Sequence, residues 1–402
     1  MQSRAEPSGA SSSRGNHRKL ALTHANRIPT RVSSDEAVRL AISLAHEANA
    51  IAAPNPAVGC VITSADGRVL GAGHTQQAGG PHAEIMALRD ASARGVVVAG
   101  ATAYVTLEPC SHHGRTGPCC DALIAAGIRK VVASIADPNP LVAGQGFERL
   151  RAAGIEVEVG PLAAESRELN IGFFSRMIRK TPWVRLKAAA SLDGKTALEN
   201  GTSQWITSEA ARADGHAWRA RAGAILTGVG TVIEDDPRLD VRLVESTRQP
   251  PLVIVDSRLQ TPPTARLFEV ERKVWIYAAG RDEAKAAALE ARGATVSCIA
   301  NPHGKVDLAA LLRDLAAREV NELHVEAGHK LNGSLMREGL VDELLLYVAP
   351  KFIGAGLGIA SRPHPGGALT SLGDALALEF RSFEAVGPDL RIVARVAGRD
   401  RF

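Results

Sequence analysis

From Ser33 onward, apolar positions alternate between helical spacing and short strand-like runs. "SSDE" reads as a capping box from Ser33 to Glu36, opening a helix whose Val38, Leu40, Ala41 and Leu44 share one face. A Pro54-Asn55-Pro56 loop follows. "AVGCVIT" and "RVLGAG", joined at Asp66-Gly67, then read as a hairpin. "HAEIMALRDASARG" is helical, "ATAYVTLEP" a strand, "GPCCDALIAAGI" a helix and "RKVVASIADP" a strand. A helix near 145–153 and the strand "IEVEVG" complete this unit. Strands alternating with helices predict a mostly parallel sheet covered on both faces.

Residues 161–181 read as a helical linker with little pattern. A second α/β unit follows, with strands at "WVRLKAAAS", "AGAILTGVG", "PLVIVDS", "KVWIYAA", "ATVSCIA", "NELHVEAG" and "DELLLYVAP". Helices are expected at about 208–221, 282–292, 306–318 and 331–339. The expected division is a tail at 1–32, a first domain at 33–160, the linker at 161–181 and a second domain at 182–402. Each domain is predicted to fold and act as its own machine.

Composition narrows the class. With 402 residues, 45% hydrophobic and 22% charged, the chain has the balance of an ordinary soluble protein. No run of 18 apolar residues offers a transmembrane helix. The formal net charge of +4 suggests a nucleic-acid partner until it is localised. The first 33 residues hold six Lys or Arg against one Glu, so the remaining body is near −1. That body is no phosphate-seeking surface. The Ser- and Arg-rich tail is not a secretory signal; between a transit peptide and a disordered or over-extended N-terminus, we expect the latter, and a cytoplasmic location.

Three of the five cysteines fall in "EPCSHHGRTGPCC", residues 108–120. Uneven cysteines in a cytosolic enzyme point to metal rather than to disulfides. A zinc deaminase needs one His, two Cys, an open fourth position for water and a nearby Glu that ligates nothing. "PHAE" supplies His82 and Glu84, and Cys110 and Cys119 complete the set, both halves near helix N-termini that favour thiolate. One Zn²⁺ per chain is expected, lowering the pKa of its water, with Glu84 carrying the proton to the ring nitrogen and the leaving amine. The competing reading is a closed structural site using Cys110, Cys119 and two of the three histidines, which would leave Glu84 without a role. His112 and His113 are expected in the pocket or loop, Cys120 in the core, and Cys60 and Cys298 buried in strands.

These residues resemble a particular family. "PNPAVGCV", "PHAE", "LEPCSHHGRTGPCCDALI", "DPNPLVAGQGFERLRAAGIEVEVG" and, later, "KAAASLDGKTA" and "GTSQWIT" are similar to the bifunctional riboflavin-biosynthesis deaminase–reductases. The resemblance runs from about residue 34 to the end. The eight residues between Cys110 and Cys119 separate it from deaminases with a P-C-x-x-C signature. Gly117 stands where a second proline is expected, which would loosen the loop without moving a ligand.

The resemblance implies a cytidine-deaminase-like α/β/α domain followed by a dihydrofolate-reductase-like α/β domain. The first would deaminate 2,5-diamino-6-ribosylamino-4(3H)-pyrimidinone 5′-phosphate. The second would use NADPH to reduce the ribosyl group to an open ribityl chain, giving 5-amino-6-ribitylamino-uracil phosphate. By the same resemblance Ala189, Trp205, Thr231, Asp235, Ser257 and the segment Gly328, His329, Lys330, Leu331, Asn332, Gly333 and Ser334 line NADP. Lys187, Ser203, Arg219, Leu239, Arg242 and Glu326 match substrate positions.

Residue by residue, plainer roles compete. Trp205 would serve equally in a core, Arg219 on a solvated helix face, and Asp235 with Asp236 at a turn. "GVGT" at 228–231 is no dinucleotide fingerprint, whereas Gly328 permits close backbone approach and the helix after Leu331 offers a phosphate its N-terminus. Arg242 suits an anion, and Glu326, ending a strand, suits a ribose. The expected partner is thus a small pyrimidine ribosyl phosphate, with no nucleic acid or membrane, in a possible homo-oligomer. Two alternatives are a tRNA-type nucleic-acid deaminase with an accessory nucleotide-binding domain, and a non-catalytic zinc scaffold that binds a nucleotide. Loss of one of the two activities is a third, against which the intact zinc motif speaks.

Overall fold

The computed structural model describes residues 28–402 except 50, 113–116, 141, 363 and 365–367. Most of the expected tail, and His113, therefore lie outside the described residues. The first helix, α1 (Ser34–Ala48), carries the capping box: the Ser33 hydroxyl accepts from Glu36 N–H while Glu36 accepts from Ser33 N–H. Strands β1 (Gly59–Thr63) and β2 (Val69–His74) form the hairpin. They are followed by α2 (Ala83–Ala93), β3 (Thr102–Val105) and α3 (Cys119–Ala125). Next come β4 (Lys130–Ala133), α4 (Gln145–Ala152) and β5 (Glu156–Val159).

The sheet order is β2-β1-β3-β4-β5. The expectation of a mostly parallel sheet needs correction, because β1 pairs antiparallel with both β2 and β3 and only β3-β4-β5 is parallel. The hairpin imposes this, since a tight turn can only return its strand antiparallel. Both faces are covered. Val61, Tyr104 and Val132 pack under α1, while Ile62, Val105 and Val131 pack with residues of α2, α3 and α4. That alternation of side chains is the two-residue period of strands.

Residues 161–181 are helical as expected, in α5 (Ala163–Leu169) and α6 (Ile171–Arg179), but they do not behave as a patternless linker. Phe173 and Phe174 enter the first unit's core. Buried Asn170 closes on the backbone of Ala57, accepting from its N–H at 2.8 Å and donating to its carbonyl at 2.9 Å. Arg176 then bridges the units, donating to Asn321 Oδ1 at 2.6 Å and to the Pro54 carbonyl at 3.1 Å.

The second unit opens with β6 (Trp183–Ser191), β7 (Lys195–Ala197), α7 (Glu209–Arg221), β8 (Ala224–Gly228) and α8 (Val229–Asp235). It continues through β9 (Leu252–Val255), β10 (Val274–Ala278), α9 (Glu283–Glu290), β11 (Ala294–Cys298) and α10 (Leu308–Ala317). Then come β12 (Glu322–Val325), α11 (His329–Arg337), β13 (Glu343–Ala349) and β14 (Leu357–Gly358). A hairpin of β15 (Leu378–Val386) and β16 (Asp389–Val396) ends the unit.

Nine strands form one sheet in the order β11-β10-β9-β8-β12-β6-β13-β16-β15, parallel from β11 to β13 and antiparallel beyond. The closing hairpin lies outside the expected strands. Its edge strand β15 is exposed along nearly its whole length, so it lacks the burial pattern that marks a strand in sequence. Cys298, expected to be buried, is exposed at the end of the other edge strand.

Candidate active sites

The first site is assembled by two helix starts and one loop. His82 is the N-cap of α2, and Glu84 lies two residues on, buried in the first turn. Cys119 opens α3, and Cys110 sits on the loop leaving β3, where its sulfur receives the Cys119 N–H at 3.4 Å. His82 Nδ1 lies 3.5 Å from Cys110 Sγ and 3.4 Å from Cys119 Sγ. Among the described residues these three form the one group of His, Cys, Asp and Glu whose ligand atoms all lie within 4.8 Å of one another.

Zinc–nitrogen and zinc–sulfur bonds of about 2.0 and 2.3 Å at a tetrahedral angle put N and S roughly 3.5 Å apart. The observed spacing therefore fits zinc, and so does a donor set of one imidazole and two thiols. One residue beyond Cys119 the helix has turned by about 100°. Cys120 accordingly faces the core, its thiol donating to the Pro109 carbonyl at 3.2 Å. His112 is not in the cluster; its Nδ1 is buried without a hydrogen-bond partner among the described residues.

Electrostatics separate the roles. The two thiols share one charge: Cys110 is held well below the ordinary thiol range, chiefly by the Cys119 thiol donating to it, and Cys119 is pushed up in return. The hydrogen bond to Cys110 raises His82. Burial first, and the Cys110 thiolate second, push Glu84 up to about 7. Sequence reasoning passed over Glu108, whose buried carboxylate accepts four backbone N–H groups. An acid directly before Pro109-Cys110 was the available signal.

The second site lies at the carboxyl ends of parallel strands. From β8 the chain turns through α8 to β9 on one side, and from neighbouring β12 it turns through α11 to β13 on the other. This reversal creates the crevice where open α/β sheets take ligands. Gly328 is the N-cap of α11, so the helix begins two residues before the expected Leu331, and its first N–H groups have no side-chain cap. A Cβ on Gly328 would stand 3.7 Å from Thr231 Oγ1, and one on Gly228 would stand 3.2 Å from Leu331, so α8 and α11 start side by side. That pair of helix starts fits a dinucleotide phosphate.

Lys187, Arg219 and Glu326 meet directly. Arg219 is no solvated-face residue: it grips both Glu326 oxygens, the second at 2.9 Å, and donates to the Asp240 carbonyl at 2.9 Å. Lys187 Nζ lies 3.5 Å from Glu326. Burial opposes ionisation of Glu326, yet Arg219 and Lys187 outweigh it and hold the carboxyl well below its usual range. Arg242 is half-exposed and pairs with Asp240, and its backbone N–H donates to His216 Nδ1 at 3.1 Å. Burial, with Arg219 and Arg242 nearby, lowers His216 to about 4.

Other candidates have mixed placements. Trp205 is 62% exposed rather than core, with the Arg212 guanidinium 4.5 Å over its ring. Ser203 lies in the same loop, and Ala189 is partly buried in β6. Asp235 ends α8 exposed, and the Ser257 hydroxyl after β9 accepts from Val306 N–H at 3.2 Å. Leu239 is buried at φ 50° and its carbonyl accepts from Arg272 at 2.6 Å. In α11, His329, Lys330 and Leu331 occupy the first turn, while Ser334 donates to the Lys330 carbonyl. Asn332 and Gly333 are committed to the segment after β14. Asn332 donates to the Ile359 carbonyl at 3.0 Å, and a Cβ on Gly333 would overlap the Ser361 backbone.

Comparison with known proteins assigns both halves. Residues 32–135 match the cytidine and deoxycytidylate deaminase zinc-binding region, and residues 182–392 match the RibD C-terminal domain. The chain is 44% identical over 365 residues to the riboflavin biosynthesis protein RibD of Escherichia coli strain K12, covering 87% of this chain and 96% of that one. It is 41% identical over 355 residues to RibD of Aquifex aeolicus, covering 88% and 96%. Among solved structures it is similar to Acinetobacter baumannii RibD, with a TM-score of 0.80 at 38% identity, covering 90% of this chain and 98% of that one. A Thermotoga maritima diaminohydroxyphosphoribosylaminopyrimidine deaminase/5-amino-6-(5-phosphoribosylamino)uracil reductase gives a TM-score of 0.77 at 32% identity, with the same coverage. The chain belongs to the RibD family of riboflavin biosynthesis: a bifunctional enzyme that joins a zinc-dependent, cytidine-deaminase-like unit to an NADPH-dependent reductase unit.

Proposed function

We propose that the first unit removes the 2-amino group of 2,5-diamino-6-ribosylamino-4(3H)-pyrimidinone 5′-phosphate, and that the second reduces the resulting ribosyl compound to 5-amino-6-ribitylamino-uracil phosphate. One observation carries the reading: His82, Cys110 and Cys119 converge on a common point while Glu84 sits buried beside them with a pKa near 7. Zinc, when bound by these three, supplies a water activated for attack near neutral pH. Glu84 is tuned for the rest of the deamination. It accepts the attacking water's first proton and delivers it to the ring nitrogen; it then takes the second from the hydroxyl now on the ring carbon and passes it to the departing amine, so that ammonia leaves as the carbonyl forms. His112, with its unpartnered Nδ1, faces the substrate in this reading.

In the second unit, Gly328 to Leu331 and Thr231 would hold NADPH phosphate at the start of α11, with Trp205, Asp235 and Ser257 around it. NADPH, when bound, supplies the hydride. Glu326, fixed as an anion between Arg219 and Lys187, accepts ribosyl hydroxyls, and the half-exposed Arg242 takes the phosphate. The deaminase unit spans 33–160 with α5 and α6 packed against it, and the reductase unit spans 182–402.

A homo-oligomer and a cytoplasmic location belong to the same reading. Phe380 and Phe383 are 63% and 55% exposed on edge strand β15, a surface suited to a second copy. All five cysteines are free, as a reducing compartment would keep them, and no described helix is long and apolar enough to cross a membrane. The test is product analysis with the diaminopyrimidine phosphate. Without NADPH the deaminated ribosyl product should accumulate, and with NADPH the ribityl product should appear. Stripping zinc should stop only the first step. Absence of ammonia release from the zinc-loaded protein would overturn the proposal.

A further inference from the structure

The deaminase unit holds a buried carboxylate that its chemistry does not use. Glu108 Oε2 accepts from Asp137 N–H at 3.1 Å and Gly144 N–H at 2.9 Å, and Oε1 accepts from Gly146 N–H at 2.9 Å and Phe147 N–H at 3.4 Å. Three of those donors belong to the start of α4. Its N-cap is Gly144, which has no side chain to offer, so a residue distant in sequence caps this helix.

Further contacts tie the same helix end to the thiol ligands. A Cβ on Gly146 would overlap the Pro109 carbonyl, so α4 rests directly on the backbone beside Cys110. The Cys120 thiol reaches both the Pro109 carbonyl at 3.2 Å and the Gly146 carbonyl at 3.5 Å. Arg149, one turn along α4, donates to the Ser111 carbonyl at 3.1 Å and pairs with Asp121 of α3 at 2.6 Å. The backbone on either side of Cys110, and the helix that begins at Cys119, thus lean on one buttress. The Glu108 carboxylate is its central fastener.

We infer that Glu108 is a positioning residue for the two zinc thiolates: by capping α4 it sets where Cys110 and Cys119 stand relative to His82. The inference rests on the proposed ligand set. An ordinary helix cap affects stability alone, whereas a positioning cap also alters the metal site in molecules that remain folded.

The test uses the full-length protein. Glu108→Gln keeps the shape but turns an amide NH₂ toward two backbone donors, leaving two of the four acceptor contacts. Gly146→Ala leaves Glu108 intact and pushes the Pro109 carbonyl from the other side. For each variant, zinc affinity is read by chelator competition, and the thiolate-to-cobalt absorption bands are read after cobalt substitution. Reduction of the deaminated intermediate by the same molecules reports that the chain is folded.

Both variants should bind zinc about 10- to 100-fold more weakly. Their cobalt bands should shift, and kcat for deamination should fall more than KM rises while reduction is unchanged. Zinc affinity within twofold of the parent and superimposable cobalt spectra would overturn the inference, even alongside a lower melting temperature. Should Glu108→Gln not fold, Gly146→Ala decides on the same criteria. Cys110→Ser distinguishes the two levels: if it keeps zinc, the ligand set itself is wrong. If it loses zinc while the other two variants keep it, only the role of Glu108 falls.

Discussion

Two buried glutamates, one in each unit, are driven in opposite directions. Glu84 has thiols beside it and no Lys or Arg among the groups that shift it, and burial carries it to about 7. Glu326 is largely enclosed too, but Arg219 and Lys187 hold it far below the carboxylate range. The same side chain is poised to exchange a proton near neutral pH in one setting and is a fixed anion in the other. Burial alone therefore says little about what a carboxylate does; its partners decide. The contrast also separates the two reactions, since the deamination moves protons through the protein while the reduction needs the ribosyl group held still.

The strongest test of that contrast is to remove each acid's distinguishing property. Glu84→Gln keeps the size and loses the proton carrier. Deamination should fall by at least ~10²–10⁴, with zinc still bound and reduction of supplied intermediate unaffected. Near-parental deamination would show that Glu84 is merely enclosed. Next in size is the metal itself. Cys119→Ser should take zinc from one per chain to none at neutral pH, because a serine hydroxyl does not ionise there, whereas Cys120→Ser should retain it. Metal analysis of the two purified variants reads this directly, and the reverse result would rotate α3 by one residue.

Glu326 offers the matching test in the reductase. Its folded pKa lies below the unfolded value, so the paired anion stabilises the protein above pH about 4.5 and that contribution is lost as pH falls further. Glu326→Gln should flatten the acid side of the stability profile. Arg219→Ala, which leaves the anion with Lys187 at 3.5 Å and His324 Nε2 at 3.4 Å, should cost up to about 3 kcal/mol at neutral pH by denaturant unfolding. If Arg219→Ala cost no more than a surface substitution, Glu326 would be solvated and its role as a fixed anion would fail.

The two sites also differ in how far they could be read from the chain. The cluster of His82, Cys110 and Cys119 was legible because metal chemistry selects residue types at short spacings, and these three stand close enough in sequence, with Glu84, to be seen as a set. The reductase crevice depends on which strands end side by side. Nothing local to Thr231 says that it will face Gly328, and the helical pattern around Arg219 gave no sign that Glu326 would reach it from the end of β12. Family resemblance supplied those residues; periodicity did not. Where one side of an element meets another part of the chain, pattern also misled. Residues 161–181 looked featureless, yet α6 sends Phe173 and Phe174 into the first core and Arg176 across to Asn321. A fragment ending at 160 would expose that core, each phenylalanine accounting for about 3 kcal/mol. β15 was missed and Cys298 misjudged for a common reason: an apolar residue on an edge strand carries no sign of its exposure.

The smallest expected effect concerns the other arginine of the second site. Arg242 is far more exposed than Arg219, at 49% of its side chain against 13%. Its partner Asp240, the neighbouring residue but one, is buried and also has Arg238 at 3.5 Å. A guanidinium placed this way can release its partner and fork onto a phosphate far from the reacting carbon. A contact of that kind is equal in the ground and transition states, so it changes binding without changing the chemical step. Arg242→Ala should therefore raise KM for the deaminated intermediate by about tenfold, the equivalent of one charge-assisted hydrogen bond, and leave kcat within roughly twofold. Steady-state reduction assays at saturating NADPH separate the two constants. His216 sharpens the reading, because its Nδ1 holds the Arg242 backbone N–H at 3.1 Å. His216→Asn, which can still offer an acceptor, should shift KM less than Arg242→Ala does. A collapse of kcat with KM unchanged would move Arg242 next to the reacting ribose carbon, and the division of labour between the two arginines would have to be reversed.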